Sequence, residues 1–163
     1  MCGIVGIVES DLNRPVLDAD LQRMVRTLVH RGPDEEGRIT LNGVGLAMRR
    51  LAIVDLAGGQ QPVTNETGTI QVVANGEIYN FLEVRRELES LGHRFKSNVD
   101  VEVLVHGYEQ WGTGVFGRLR GMFATAIWDS RSRTLVAARD RAGEKPLYWT
   151  NTPQGLRLAS EVK

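Results

Sequence analysis

Met1-Cys2-Gly3-Ile4-Val5-Gly6-Ile7-Val8-Glu9 opens the chain, and the rest is read outward from it. Gly3 to Glu9 alternates and is rich in β-branched residues, the signature of a strand. Directly before that strand stands Cys2, the only cysteine in the chain. An initiator methionine is usually removed when the next residue is small. Removal would leave a thiol and a free α-amine on one residue. A thiol becomes a strong nucleophile once a base takes its proton. An α-amine, with a pKa of roughly 7.7–8.0 in free peptides, is suited to be that base. A free cysteine is more often a small buried hydrophobe, so the dipeptide alone does not decide its role.

Beyond the first strand, Asp18 to His30 predicts a helix. Leu21, Met24, Val25, Leu28 and Val29 recur at helical spacing and form one apolar face. Pro15 precedes it and Arg31-Gly32-Pro33 ends it. Val44 to Arg50 and Ile70 to Ala74 read as strands, and Asp55 to Gly68, rich in Gly, Asn, Gln and Pro, as the loop between them. Asn80 is placed to cap a helix with Phe81, Val84, Leu88 and Leu91 inward. Asp100 opens another, with Val101, Leu104, Val105 and Tyr108 inward. Met122 to Asp129 and Thr134 to Arg139 are strands joined by the turn Asp129-Ser130-Arg131-Ser132. Short strands at Leu147 to Thr150 and Leu156 to Ser160 follow. This order lacks the regular βαβα alternation of a parallel sheet. It predicts an α+β domain of two antiparallel sheets with helices on their outer faces.

The 163 residues suit one domain. Hydrophobic residues at 42% and charged residues at 25% fit a globular protein. Twenty basic and twenty acidic residues cancel, which speaks against nucleic acid or an anionic membrane as partner. Arg49-Arg50 and Arg85-Arg86 read as solvated edges. One cysteine excludes an internal disulfide and a multi-cysteine metal site, and points to a cytoplasmic location. No apolar run approaches the ~18 residues of a membrane span, and no signal peptide is recognisable.

Four segments join glycine or a turn to polar residues where strands and helices meet: His30-Arg31-Gly32-Pro33-Asp34, Arg50-Leu51-Ala52-Ile53-Val54-Asp55, Asn75-Gly76-Glu77-Ile78-Tyr79-Asn80, and Asp100 to Glu102. Each has an ordinary structural explanation: His30 as a helix-end cation, Asn75-Gly76 as a turn pair, Asp100 as a cap. Taken with Cys2 they make a coherent site. A cysteine attacking an amide carbonyl needs an oxyanion hole, and Asn75 with the Gly76 N–H offers one. A free amino acid as substrate needs a cation for its carboxylate, which Arg50 can grip bidentately. It also needs an anion for its ammonium, which Asp100 provides.

The opening Met1-Cys2-Gly3-Ile4-Val5-Gly6 resembles the start of the class II (N-terminal nucleophile) glutamine amidotransferases. His30-Arg31-Gly32-Pro33-Asp34, Arg50-Leu51-x-Ile53-Val54-Asp55 and Asn75-Gly76-Glu77-Ile78-Tyr79-Asn80 are similar to segments of the glutaminase domain of asparagine synthetase B. So are Gly121-Met122-Phe123-Ala124, Asp140-Arg141-x-Gly143-x-Lys145-Pro146-Leu147-Tyr148 and Ala159-Ser160-Glu161-Val162-Lys163. The resemblance runs in order from residue 1 to residue 163.

It implies a four-layer αββα sandwich of the Ntn-hydrolase type. It also implies roles. Cys2 is the nucleophile and its own α-amine the base, acting through a water in the family's scheme. Asn75 and Gly76 form the oxyanion hole. Arg50 holds the α-carboxylate of L-glutamine, and Asp100 and Glu77 its ammonium end. Ile53 and Val54 line the pocket with backbone groups, and Arg31 and Gly32 belong to a loop closing over the substrate. This half would need no metal or organic cofactor. In the intact family, ammonia passes to a C-terminal synthetase domain that uses ATP and magnesium to activate aspartate and form asparagine.

Three departures qualify the resemblance. The usual Ser-Asp-x-Glu reads Val99-Asp100-Val101-Glu102, a lost hydroxyl expected to loosen the cap by ~1 kcal/mol. Ala142 and Glu144 fill variable positions and suggest a branch with another acceptor, such as a polysaccharide sugar, a peptide or a secondary metabolite. No Ser-Gly-Gly-x-Asp-Ser type loop occurs in the chain, so residues 1–163 are expected to be the glutaminase domain cut before its partner. Loss of the partner would bare an apolar face and favour self-association, for example as a homodimer. A non-catalytic interaction module of the same fold is the competing class. Intact Cys2, Arg50, Asn75, Gly76 and Asp100 argue against it.

Overall fold

Strand β1 (Gly3–Glu9) is buried on both faces, which places it at the centre of a sheet and not at an edge. The computed structural model describes residues 2–51 and 59–162. β1 pairs antiparallel with β3 (Val44–Arg50) on one side and with β9 (Gly155–Ala159) on the other. β2 (Glu35–Leu41) and β8 (Tyr148–Thr152) complete a five-stranded sheet in the order β2-β3-β1-β9-β8. The second sheet has the order β4-β5-β6-β7, from Val63–Thr64, Ile70–Ile78, Gly121–Asp129 and Thr134–Arg139.

Side-chain alternation along the strands then builds four layers. Ile4 of β1, with Val44, Leu46 and Met48 of β3, meets Val73, Ala124, Ala126 and Trp128 of the second sheet in an inter-sheet core. Val5 and Ile7 point the other way, to Leu21, Val25 and Leu28 from α1 (Asp18–Arg26) and its exit. Behind the second sheet, Ile70, Val72, Ala74 and Ile78 of β5 pack on Val84 and Leu88 of α2 (Phe81–Ser90) and on Val103, Leu104 and Val105. Those last three belong to α3 (Glu102–Trp111), followed by a 3-10 turn (Gly112–Gly114) and the short α4 (Val115–Arg118). Each fully buried aliphatic side chain contributes roughly 1.5–3 kcal/mol. The expected α+β sandwich of two antiparallel sheets between helical layers is the observed fold. Among the described residues no helix is long and apolar enough to cross a membrane.

Several boundaries differ from the expectation. α1 ends at Arg26, not His30. Thr27 takes over: its hydroxyl and its N–H both donate to Met24 O, and the next amides bond three residues back, tightening the turn. Leu28 stays buried but Val29 is turned out. Asn80 does not cap α2. Its side chain bridges to the chain before β6, accepting from Arg120 N at 2.8 Å and donating to Arg118 O at 3.0 Å. Asp100 does not cap α3 either, because its carboxylate turns to β5. At the start of that helix Glu102 accepts from the amides of Lys96 and Ser97 and from the Ser97 hydroxyl. A serine two residues before Val99 thus makes the local hydroxyl contact expected of the missing one.

Candidate active site

The side chains that were read as one site come from the start of β1, the end of β3, the second half of β5 and the approach to α3. Cys2 precedes β1 on the face of Ile4, so alternation aims it between the sheets, where it packs half-buried against the inter-sheet core. Its neighbours hold the strand end. Arg31 Nε donates to Cys2 O at 3.0 Å, while Arg31 Nη1 bonds Glu161 at 2.9 Å. Ile4 N donates to Ser160 Oγ and Ser160 N to Ile4 O, both at 2.9 Å. Cys2 is thereby positioned by residues from both ends of the chain.

Asn75 and Gly76 lie within β5, which runs on to Ile78, so they do not form a turn at its end. Asn75 pairs with Ala124 and shares the inter-sheet face of Val73. Its side chain is buried, and its Nδ2 has no hydrogen-bond partner. On the edge of β5 away from β6, β4 pairs only with Gln71 and Val72. Beyond it, Gln61 takes the place of a strand. Ala74 N donates to Gln61 Oε1 at 2.6 Å and Gln61 Nε2 to Ala74 O at 3.2 Å. Two pairs further on, Ile78 N donates to Asp100 Oδ2 at 2.6 Å. Alternate residues of a strand direct their amides to the same edge. Gly76, midway between Ala74 and Ile78, therefore presents its N–H on this edge. A Cβ at Gly76 would stand 2.0 Å from Met122 O, so only glycine lets the two strands approach here.

Arg50 ends β3 and is buried. Its Nη1 donates to Glu35 Oε2 of the neighbouring strand at 2.8 Å. Gly59 lies flat against the guanidinium: a Cβ there would be 2.0 Å from Nη2. Asp100 approaches from the helical side. Burial pushes its carboxyl above the usual range and the charge of Glu77 adds to this, against the lowering effect of the Ile78 amide bond.

These residues enclose a cleft of about 370 Å³ lined by Cys2, Arg50, Asn75, Gly76, Glu77 and Asp100, among others. That is the small end of ligand clefts, roughly 300–1,000 Å³. Two cations, Arg50 and Lys145, and two carboxylates, Glu77 and Asp100, line it beside a thiol and an unused amide, which suits a zwitterion with an acyl group. Arg31 and Gly32 do not line it. Arg31 stands behind Cys2, and Gly32 packs against the backbone of Arg49 and Arg50. Ile53 and Val54 lie outside the described residues.

Among the lining residues that the sequence did not single out are Gln61 and Lys145. Gln61 had no signal beyond membership of a polar loop. Lys145 had one: Asp140 precedes it in an Asp-Arg-x-Gly-x-Lys run. The Asp140 carboxylate accepts the amides of Phe123, Glu144 and Lys145 at 3.2, 2.9 and 3.0 Å. Burial opposes its charge, and these donors outweigh burial and hold the carboxyl below the usual range. The turn so fixed carries buried Lys145 to the cleft.

Two facing antiparallel sheets between helical layers, with a cysteine leading the central strand, define the N-terminal-nucleophile hydrolase fold. The solved glutamine phosphoribosylpyrophosphate amidotransferase from B. subtilis superposes with a TM-score of 0.76 over 98% of this chain and 42% of that one, at 19% identity. The family model of the glutamine amidotransferase domain matches residues 1–163, and the chain belongs to that family. Over its whole length it is 42% identical to asparagine synthetase [glutamine-hydrolyzing] 2 of Bacillus subtilis, covering 22% of that protein. It is likewise 42% identical to asparagine synthetase [glutamine-hydrolyzing] 3 of Arabidopsis thaliana, covering 28%. Amidase chry2 of Gibberella zeae is 37% identical, with 26% covered. The chain thus spans about a quarter of the length of these curated relatives.

Proposed function

We propose that the chain hydrolyses L-glutamine to glutamate and ammonia through Cys2. The observation that carries the proposal is the buried Asn75 amide, whose Nδ2 lacks a partner in a cleft that Cys2 also lines. A buried donor left unpaired costs roughly 1–3 kcal/mol, a cost that makes sense if the donor is used in a transition state. In this reading Arg50 binds the glutamine α-carboxylate, and Asp100 with Glu77 its ammonium. The Cys2 thiolate adds to the side-chain carbonyl, and the oxyanion is held by Asn75 Nδ2 and the Gly76 N–H. The α-amine of Cys2, free once Met1 is removed, takes the thiol proton through a water and returns it to the leaving nitrogen. Ammonia departs, leaving a γ-glutamyl thioester. Water then cleaves the carbon–sulfur bond, restoring the thiol and releasing glutamate. Arg31, bonded to the Cys2 carbonyl, is a positioning residue.

The ammonia is used by a C-terminal synthetase domain, with ATP and magnesium acting there and no residue of this chain assigned to them. Aspartate is the acceptor favoured by the asparagine synthetases among the relatives. An acceptor other than aspartate is the second reading, favoured by the likeness to an enzyme named as an amidase and by Ala142 and Glu144.

The test is glutamate release from L-glutamine by the purified chain beside Cys2→Ala, with intact mass recorded on both. Release by the des-Met1 wild type alone supports the assignment. No release by a folded, des-Met1 wild type overturns glutamine hydrolysis by this chain.

A further inference from the structure

We propose that Glu66, His93, His106 and Glu109 form a binding site for a divalent transition metal of the zinc class, apart from the Cys2 cleft. Each offers one ligand atom, and the four atoms lie within 4.8 Å of one another. His106 Nδ1 is 3.4 Å from Glu66 Oε2, and His93 Nδ1 is 3.9 Å from Glu66 Oε1 and 4.0 Å from Glu109 Oε2. Zinc bonds of 2.0–2.2 Å in a tetrahedron give ligand–ligand edges of roughly 3.3–3.6 Å. The closest pair already stands at that spacing, and the widest, within 4.8 Å, must close by up to about 1.2–1.5 Å.

A second observation points to an ion. His106 is fully buried, and its Nδ1 has no hydrogen-bond partner although a carboxylate lies 3.4 Å away. Its other nitrogen, Nε2, faces Glu102 Oε1 at 3.5 Å. Glu102 is itself fixed there by the amides of Lys96 and Ser97 and the Ser97 hydroxyl, all of which donate to its carboxylate. A carboxylate facing Nε2 selects the tautomer whose proton is on Nε2, leaving the Nδ1 lone pair aimed into the cluster. This carboxylate–imidazole pair is the usual outer arrangement of a metal-bound histidine.

The other three residues repeat the pattern. His93 Nε2 faces Gln110 Oε1 at 3.1 Å. Glu66 Oε1 accepts from Arg94 N at 2.7 Å. Glu109 Oε1 accepts from Asn65 Nδ2 at 2.9 Å, with Arg131 Nη1 at 3.6 Å. His93, His106 and Glu109 are each held through their outer atom, Glu66 is held through Oε1, and the four residues converge on one point. Two carboxylates and two neutral imidazoles balance a dication, and the mixed nitrogen–oxygen set suits zinc better than magnesium or calcium. Four protein ligands leave no position for substrate, so the ion is structural. It joins the β4–β5 turn and the α2–α3 connection to α3, the helix that Asp100 precedes. None of the four residues lines the Cys2 cleft.

The test uses the full chain without a histidine tag, stripped with a chelator and titrated with zinc chloride by calorimetry. Zinc-edge X-ray absorption is recorded on the product. One zinc per chain is expected, with a shell of nitrogen and oxygen only, unchanged by Cys2→Ala. His93→Gln and Glu109→Gln are each expected to weaken binding at least tenfold while circular dichroism shows a folded chain. If one fails to fold, the other decides. Glu102→Gln, which leaves all four ligands, is expected to weaken it 10–100-fold. The proposal is overturned by no saturable uptake in the folded wild type. It is equally overturned by a sulfur ligand at about 2.3 Å that Cys2→Ala removes, or by uptake unaltered in His93→Gln and Glu109→Gln.

Discussion

Replacing Asn75 by alanine separates a catalytic amide from a structural one. Nδ2 has no partner to lose in the resting fold, so truncation relieves a desolvation cost of roughly 1–3 kcal/mol. Against this stands lost packing. Vacating roughly 40 Å³ at 24 cal/mol per Å³ costs about 1 kcal/mol, and less where the space opens to the cleft. The packing cost is no larger than the lower end of the relieved desolvation, so the melting temperature should not fall by more than about 2–4 °C. In the transition state the same nitrogen would face a developing oxyanion. Loss of one such donor costs 10²–10³ in kcat, or about 2.7–4 kcal/mol. The assay is glutamate release across glutamine concentrations, paired with thermal unfolding of the same samples. The expected result is a kcat lower by two to three orders of magnitude at nearly unchanged KM and melting temperature. Activity within a few-fold of wild type would refute the reasoning. So would a loss of activity that merely follows a large fall in melting temperature, which would make Asn75 a packing residue.

Three other outcomes are expected. Gly59→Ala drives a methyl group into the buried Arg50 guanidinium; losing one charge-assisted contact of roughly 1.5–3 kcal/mol should raise KM for glutamine about 10–150-fold, with kcat much less affected. For Asp100, whose carboxyl is raised by burial, the ionised form binds the ammonium, so KM should rise as pH falls through that raised value while kcat at saturation holds; a KM flat across this range argues against the assignment. The same shift has a stability sign: a raised acid favours the protonated fold, and that contribution is lost as pH rises from the unfolded value through the folded one. Asp100→Asn keeps an acceptor for Ile78 N, so it should not lower the melting temperature at neutral pH but should raise KM about tenfold or more.

The fold was legible where burial dictates pattern and illegible where pairing alone does. β1, β3 and β7 were read with their observed ends, because apolar alternation stops where the sheet stops. β2 was not anticipated. Its sequence, Glu35-Glu36-Gly37-Arg38-Ile39-Thr40-Leu41, is polar because it is an edge strand, and only the hydrogen bonds of β3 make it a strand. The extension of β5 through Asn75-Gly76-Glu77-Ile78 failed for a related reason. Asn-Gly is a turn pair in isolation, but register with Ala124 and Phe123 holds it extended. Both caps were misjudged alike. Asn80 and Asp100 have the chemistry to bond their own helix, and a more distant partner across the fold claims each of them.

The same logic explains why the two clusters of this domain were unequally visible. The cleft residues are spread from Cys2 to Lys145, yet Cys2, Arg50, Asn75, Gly76 and Asp100 each sit in a short polar motif that stands out in the sequence. Motif chemistry therefore assembled the set before its geometry was known. The cluster of Glu66, His93, His106 and Glu109 has no such local mark. His106 lies in the apolar run Val103-Leu104-Val105-His106-Gly107, and its burial hides it among core residues. Only the i, i+3 spacing of His106 and Glu109 was available, and one helical pair is common without an ion. What sets the cluster apart is three-dimensional: four ligand-type side chains converge, and one buried nitrogen among them is left bare. In the cleft, Asn75 Nδ2 is bare in the same way. A fold satisfies nearly all its buried polar groups, so each exception asks for a reason. Among the described residues the exceptions are Arg31 Nη2, Gln71 Oε1, Asn75 Nδ2 and His106 Nδ1; of these, Asn75 Nδ2 belongs to the cleft and suits an oxyanion, and His106 Nδ1 belongs to the carboxylate–imidazole cluster and suits a cation.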